Sequence, residues 1–380
     1  MFKKVFGQDR LFERLLELIY QGKAAGSYLF TGPEGIGKWA YGLLFAAAYC
    51  CESDTEKPCG KCRSCKASMN NNHPDVQLLF PFPNIRSSKK QVIVFPFSDS
   101  SNGAKYSSET AVEIERYLEE KSEDPYKIVH FEGKPNIPMD IIRDLRRFLS
   151  LRPMWGGKRV VLVSDIEKMA PRGTEIFLKT IEEPPPDTVI ILTSSSPQKL
   201  PATLLSRCRV LPFQTLDEER IREYLNSIFP GAKADYRFVI KASNYAPGMA
   251  RALVEEGATE LRDRLLGLLN SARKGDKFIE RSFTEYNPDF NILGGGITAP
   301  LVLTWILRDV IVMRKGGRTE EIINCDRTEI LSGLSASITV ERALSLLETV
   351  NDIKIAGELS NVLPSTLYKH LLASIKRAFR

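Results

Sequence analysis

Gly32-Pro33-Glu34-Gly35-Ile36-Gly37-Lys38-Trp39 is the stretch whose residue types and spacing point most directly to chemistry. Glycines at these positions let backbone N–H groups cradle phosphates at a helix N-terminus, and the lysine reaches the terminal phosphates. Gly32, Gly35, Gly37 and Lys38 are therefore candidate nucleotide-binding residues of a P-loop. The next position should supply a Ser or Thr hydroxyl to Mg2+, and here it is Trp39. An indole carries one N–H donor and no oxygen lone pair, so it cannot ligate the metal, and its bulk crowds the phosphate pocket. A second departure follows the strand Arg159 to Val163, which ends in Ser164-Asp165 where an ATPase needs two consecutive acids, one for Mg2+ and one to polarise water. Asp165 occupies only the second place and is one methylene shorter than Glu. The expectation is a P-loop shape without P-loop hydrolysis, with ATP binding left open because Lys38 and the glycines remain.

The cysteines are the second cluster with chemistry in it. Of seven, five fall between Cys50 and Cys65, and Cys208 and Cys325 stand alone. The spacing runs Cys50, eight residues, Cys59, two residues, Cys62, two residues, Cys65. Overlapping Cys-x-x-Cys steps around Pro58-Cys59-Gly60-Lys61-Cys62 let a knuckle-like turn present thiolates at tetrahedral spacing, so a closed, structural Zn2+ site on Cys50, Cys59, Cys62 and Cys65 is expected. Cys51 is the alternative fourth ligand, and reduced thiols or a redox pair are the alternative chemistry. His73, His130 and His370 are the only histidines and none lies near another, which disfavours a His-centred triad or a His-rich metal site.

These residues need elements to hold them. Ser27 to Thr31 reads as a short apolar strand before the Gly-rich turn, and Lys38 to Cys50 as an Ala-rich helix after it. Residues 11–22 form an amphipathic helix ahead of both. After the cysteines, His73-Pro74-Asp75 introduces the strand Val76 to Phe80. Residues 81–125 read as an insertion: loop-like Pro and Ser stretches around a strand-like Val92 to Phe97, a hairpin or flap, then a charged helix at Glu113 to Lys121. Ile141, Ile142, Leu145, Phe148 and Leu149 mark one helical stripe, Thr174 to Glu183 another helix, and Thr188 to Thr193 another strand. Helices alternating with short buried strands imply a parallel α/β domain over 1–212. Thr215 with Glu218 reads as a capping box for the first of three helices in a small domain, 213–258, whose other two fit 234–245 and 247–257. Residues 259–380 are helical by periodicity, with breaks near Gly294 to Gly296 and at Gly316-Gly317.

Composition bounds what such a chain does. At 380 residues, two or three domains are expected, and 43% hydrophobic with 26% charged residues is a globular balance. Lys and Arg number 53 against 47 Asp and Glu, and a net +6 spread over the whole surface disfavours a DNA binder that works by bulk charge. A zinc-dependent DNA-binding module is disfavoured on the same ground. No apolar run approaches the roughly 18 residues that cross a bilayer, the best being broken by Arg308 and Asp309, and no signal core is present at Met1 to Arg10, so a cytoplasmic protein without a membrane partner is expected.

Several rare motifs in one order resemble a known family: the P-loop, the cysteines directly after its helix, His73-Pro74-Asp75, Leu178-Lys179-Thr180 with Glu182-Glu183-Pro184-Pro185, Pro197-Gln198-Lys199-Leu200-Pro201, and Ser206-Arg207-Cys208. Together they resemble bacterial clamp-loader subunits of the AAA+ class over essentially the whole chain. The resemblance implies an AAA+ P-loop α/β domain with an inserted zinc module at 50–65, a three-helix lid and an all-helical C-terminal collar for oligomerisation. Trp39 and Ser164 place the chain with the delta-prime branch, which often has a degenerate ATP site and acts as a stator, rather than with the hydrolysing gamma/tau branch, the alternative. The resemblance also implies partners: gamma/tau and delta subunits in a heteropentamer, and through it the sliding clamp and primed DNA. Arg207, by itself an ordinary surface charge, becomes an arginine finger acting in trans. Ser195 and Arg251 take the two sensor positions. Gly26-Ser27, where the family usually has His-Ala, and the 81–125 insertion depart from the pattern.

Overall fold

Five of the chain's apolar segments form one parallel sheet. They are β1 (Gly26–Thr31), β2 (Val76–Leu79), β5 (Arg159–Val163), β6 (Thr188–Ser194) and β7 (Arg209–Pro212), in the order β2-β5-β6-β1-β7. Registers such as Leu29 opposite both Leu192 and Val210 run parallel throughout. Every residue of β5 and β6 is buried, which is why these strands read as continuous β-branched runs rather than alternating ones. In this computed structural model the described residues are 5–83, 92–93, 105–106, 108–131, 135–230, 235–275, 296–359 and 363–379. Two compact units divide the chain, Met1–Leu216 and Asp217–Arg380.

Helices complete the first unit: α1 (Asp9–Tyr20), α2 (Lys38–Tyr49), α3 (Arg63–Met69), α4 (Ser108–Glu123), α5 (Met139–Ser150), α6 (Pro171–Glu182) and the short α7 (Ala202–Leu205). Burial covers all twelve residues of α2, so it has no polar face. Its Gly42 lies so close to β5 that an added Cβ would sit 2.6 Å from Leu162 Cδ1, so any larger residue would have to push that side chain aside. The stripe expected on α5 is present, with Ile141, Ile142, Leu145 and Leu149 buried. The insertion contributes a two-residue antiparallel pair, β3 (Val92–Ile93) with β4 (Lys105–Tyr106), and α4, which is longer at both ends than the charge pattern predicts. The rest of the strand-like stretch, from Val94 to Phe97, lies outside the described residues.

The second unit is helical: α8 (Glu218–Ile228), α9 (Arg237–Ala242), α10 (Pro247–Glu255), α11 (Ala258–Lys274), α12 (Ala299–Arg314), α13 (Thr328–Ser337), α14 (Val340–Leu359) and α15 (Pro364–Ala378). One sequence expectation changes here. The cap of α8 is Asp217, whose carboxylate accepts the Arg220 N–H at 2.9 Å, not a box of Thr215 with Glu218. Asp217 sits at the N-cap with extended backbone, one residue before the first helical turn, which is the geometry that reaches the orphan N–H. Within the unit, the fully buried Arg262 forms a fork to both oxygens of Asp326 at 2.7 and 2.9 Å and lies 4.3 Å from the centre of the Phe238 ring. Among the described residues, no single helix is long and apolar enough to cross a membrane.

Candidate nucleotide and metal sites

The P-loop joins β1 to α2 at the C-terminal edge of the sheet, where open α/β sheets bind ligands. Gly37 is the N-cap of α2 with φ +101, a left-handed backbone that favours glycine. Lys38 does not point outward. Its ammonium donates to the Gly32 and Pro33 carbonyls, both at 2.7 Å, and to Ser195 Oγ at 2.9 Å. Ser195, the expected first sensor, is thus bonded directly to the P-loop lysine. Burial pushes the Lys38 ammonium down to about 8, against the opposing pull of Asp165, Glu34 and Glu167.

The two positions expected to handle Mg2+ lie nearby. Trp39 is buried, its Nε1–H has no hydrogen-bond partner, and its ring meets Phe80 and Tyr117 edge-on at 6.0 and 5.8 Å. Ser164 closes β5, and Asp165 follows in a left-handed turn with φ +49. The Asp165 N–H donates to Thr193 Oγ1 at 3.1 Å, and its carboxylate lies 3.6 Å from Lys168 Nζ. Glu167, which sequence reasoning passed over, accepts the Ser195 and Ser196 N–H groups at 2.9 and 3.1 Å and so fixes the turn that carries Ser195.

Two further candidates stand in ion pairs. Arg207, just past α7, donates to the Thr203 carbonyl at 2.8 Å and to Glu182 Oε1 at 3.1 Å, with a third of its side chain exposed. Arg251 lies on α10 in the second unit and pairs with Glu255 at 2.8 Å.

The cysteine cluster differs from the spacing argument in one member. Cys51, Cys59, Cys62 and Cys65 place their sulfurs within 4.8 Å of one another, and Cys50 is not among them. Cys50 is the C-cap of α2 and still helical, so its side chain stays in the buried interior, where burial pushes its thiol up to about 12. Cys51, the first residue beyond the helix, turns toward the knuckle. The Ser53 and Cys59 N–H groups both donate to Cys51 Sγ at 3.4 Å, Cys62 N–H donates to Cys59 Sγ at 3.4 Å, and Cys65 N–H donates to Cys62 Sγ at 3.3 Å. Such N–H donors stabilise thiolates, and those of Lys61 and Cys62 draw Cys59 down to about 6. Four thiolates around a tetrahedral ion with metal–sulfur bonds near 2.3 Å would lie about 3.8 Å apart, so the cluster fits a metal with slight contraction. An all-sulfur donor set suits soft or borderline ions.

His73-Pro74-Asp75 buttresses this module. His73 Nδ1 accepts the Asp75 N–H at 3.0 Å, so Nε2 carries the proton and faces Ser64 Oγ at 2.8 Å. Ser64 in turn donates to the Cys50 carbonyl at 2.8 Å. The buried Asp75 carboxylate accepts the Met154 and Trp155 N–H groups at 2.8 and 2.6 Å, and Trp155 lies edge-on to His73 beneath the Arg63 guanidinium. Asp75→Ala should leave the Met154 and Trp155 N–H groups without their carboxylate acceptor and cost about 1–3 kcal/mol, read as a lower urea midpoint, with Asp75→Asn losing about half as much.

A family model described as DNA polymerase III, delta subunit, matches residues 7–217. The chain belongs to that family. Among its curated relatives, the DNA polymerase III subunit tau of Bacillus subtilis (strain 168) is 25% identical over 228 residues, 60% of this chain and 31% of that one. The delta' subunit of the same organism is 26% identical over 218 residues, 57% of this chain and 51% of its own. The delta' subunit of Escherichia coli (strain K12) is 23% identical over 350 residues, 90% of this chain and 86% of that one. The chain thus spans between about a third and a half of the first two relatives and most of the third.

Membership in this DNA polymerase III family agrees with the parallel sheet and with the place of the P-loop on it. Sequence reasoning missed three residues at this edge, Tyr117, Lys121 and Tyr126. The signal lay in Ile114, Tyr117 and Lys121, spaced three and four apart on a helix otherwise read as charged.

Proposed function

We propose that this chain is a delta-prime-like stator of the cytoplasmic clamp loader of DNA polymerase III, a subunit that does not hydrolyse ATP itself. In this reading it sits in a heteropentamer with gamma/tau and delta subunits, joined through its C-terminal helices as a collar, and helps place the sliding clamp on primed DNA. One observation carries the reading: a buried tryptophan and a serine stand at the two positions that should handle Mg2+, while Arg207 stays near the surface in a pair that a partner subunit can displace. The nearly end-to-end similarity to a delta' subunit supports the assignment. Gly32, Gly35, Gly37 and Lys38 are then a degenerate nucleotide site, with Asp165 and Ser195 as its remnants, and Arg251 is a vestigial sensor. Cys51, Cys59, Cys62 and Cys65 hold a structural Zn2+, which ties the end of α2 to the start of α3 and leaves no position open for catalysis.

The test is turnover. Purified full-length chain with clamp and primed DNA should hydrolyse no ATP above a Lys38→Ala control, and adding it to gamma/tau and delta should produce clamp-stimulated and DNA-stimulated hydrolysis. Turnover by the chain alone, abolished by Lys38→Ala, would establish instead a gamma/tau-type ATPase with an unorthodox Mg2+ site.

A further inference from the structure

The insertion helix α4 and the turn after it pack against the P-loop. Tyr117 stacks on Phe80 with ring centres 4.0 Å apart and on Phe131 at 5.4 Å, and it meets Trp39 edge-on. Burial raises the pKa of its phenol, Asp165 and Glu34 add to the rise, and Ser164 offsets part of it. One turn further along α4, Lys121 is buried, with its ammonium 5.7 Å from the centre of the Tyr117 ring and bonded to the Lys127 carbonyl. Asp165, Asp124, Glu34 and Lys38 all act on it electrostatically. Tyr126 covers the start of α2: a Cβ built on Gly37 would lie 2.6 Å from its ring. The Tyr126 hydroxyl is held on both sides by Phe6, donating to its carbonyl at 2.6 Å and accepting its N–H at 2.9 Å.

We propose that residues 108–131 are a built-in occupant of this P-loop. The Tyr126 ring covers Gly37 at the start of α2, the Tyr117 ring packs on the Trp39 that stands in place of a Mg2+ ligand, and the buried Lys121 ammonium lies against the Tyr117 ring.

Three physical points carry this. The place of a Mg2+ ligand is taken by the buried Trp39 ring, and Tyr117 of the segment packs edge-on against it. Lys121 brings a buried ammonium to the same aromatic cluster from within the chain. The Lys38 ammonium is likewise satisfied internally, by two carbonyls and Ser195 rather than by phosphate oxygens. Finally, the glycine at the N-cap of α2 is covered by an aromatic ring clasped at its hydroxyl, so the N–H groups at that helix end do not face open solvent. A nucleotide would have to displace the segment before reaching any of them. If the open form is about one molecule in a hundred, apparent affinity falls about a hundredfold. The inference concerns occupancy of this chain's own P-loop and stands whether or not the chain acts as a stator.

Calorimetric titration of the full-length chain with MgATP tests it. Wild type should show no saturable binding, and Tyr117→Ala/Lys121→Ala should bind at least about tenfold tighter. Saturable binding by wild type at the strength of the double variant overturns the proposal, as does a folded, metal-retaining double variant that binds no better than wild type. Should the double variant not fold, hydrogen exchange on wild type decides. The amides of 35–38 and 117–121 should be strongly protected without nucleotide and unchanged by MgATP. New protection on adding MgATP, or exchange of 117–121 at the rate of an exposed helix, overturns the proposal.

Discussion

Cys51→Ser should abolish stoichiometric zinc, while Cys50→Ser should retain it. Adjacent positions separate so sharply because α2 ends between them. Cys50 is the helical cap residue, directed into the interior, and Cys51 is the first residue beyond it, receiving two N–H donors and standing within 4.8 Å of the other three sulfurs. A serine oxygen at residue 51 is a harder donor on a shorter bond and does not complete a thiolate tetrahedron. Metal release by a thiol-blocking reagent, with a colorimetric chelator as readout, should give one Zn2+ per chain for wild type and Cys50→Ser, and close to none for Cys51→Ser. The stability effect is also large. Zinc-finger peptides gain roughly 10–16 kcal/mol from the metal, much of it as folding free energy. Here the loop between the ligands is mostly exposed and has few apolar residues to hold it, so its order should depend on the ion. Cys51→Ser should therefore unfold the 51–65 loop, seen as rapid hydrogen exchange there, while the sheet stays protected. Cys50→Ser should cost only about 1–3 kcal/mol for a buried hydroxyl. The opposite metal contents would remove the cluster as a site.

The parts of this molecule that could be read from sequence are those whose chemistry is local. A strand, a Gly-rich turn and a helix are consecutive, so the P-loop and its place on a parallel sheet follow from residues 26–49 alone. The overlapping Cys-x-x-Cys steps are local too, and they indicate a metal knuckle whatever surrounds it. Choosing between Cys50 and Cys51 required knowing where α2 stops, and a helix boundary is uncertain by the one residue that mattered. The same limit misplaced the cap of α8, where Asp217 and Thr215 both have suitable side chains and only backbone geometry separates them.

Other features were illegible because they join distant parts of the chain. Glu113, Glu115, Glu119, Glu120 and Lys121 make α4 look like a solvated helix, and most of that surface is indeed charged. The helix nonetheless has a narrow inner stripe of Ile114, Tyr117 and Lys121, and its tyrosine packs on Trp39 and Phe80, which come from distant parts of the chain. His73-Pro74-Asp75 was visible as a motif but not as a device. Its function rests on bonds to Ser64, Met154 and Trp155, which a reader of the sequence has no means to pair.

Arg207→Ala, reconstituted with gamma/tau and delta, should lower ATP hydrolysis at the neighbouring site by about a thousandfold or more while leaving this chain's own stability almost unchanged. The two halves of that expectation come from the same geometry. A pair between a one-third exposed guanidinium and the half-exposed Glu182 contributes at most about 1 kcal/mol, so its loss hardly affects folding. The same weakness makes the arginine available. Its fork is held by one carboxylate and one carbonyl on a surface that a partner can reach, and a phosphoryl group losing its bond to ADP offers a far stronger counter-charge in a drier place. Arg207→Lys should recover little, because an ammonium keeps the charge but not the planar fork that spans two oxygens. Glu182→Ala should not reduce hydrolysis, since it releases the fork without removing it. Steady-state ATPase with clamp and primed DNA gives the rates, and sedimentation of the variant complex checks that assembly is intact. Wild-type hydrolysis from an intact Arg207→Ala complex would leave Arg207 as a surface ion pair and nothing more.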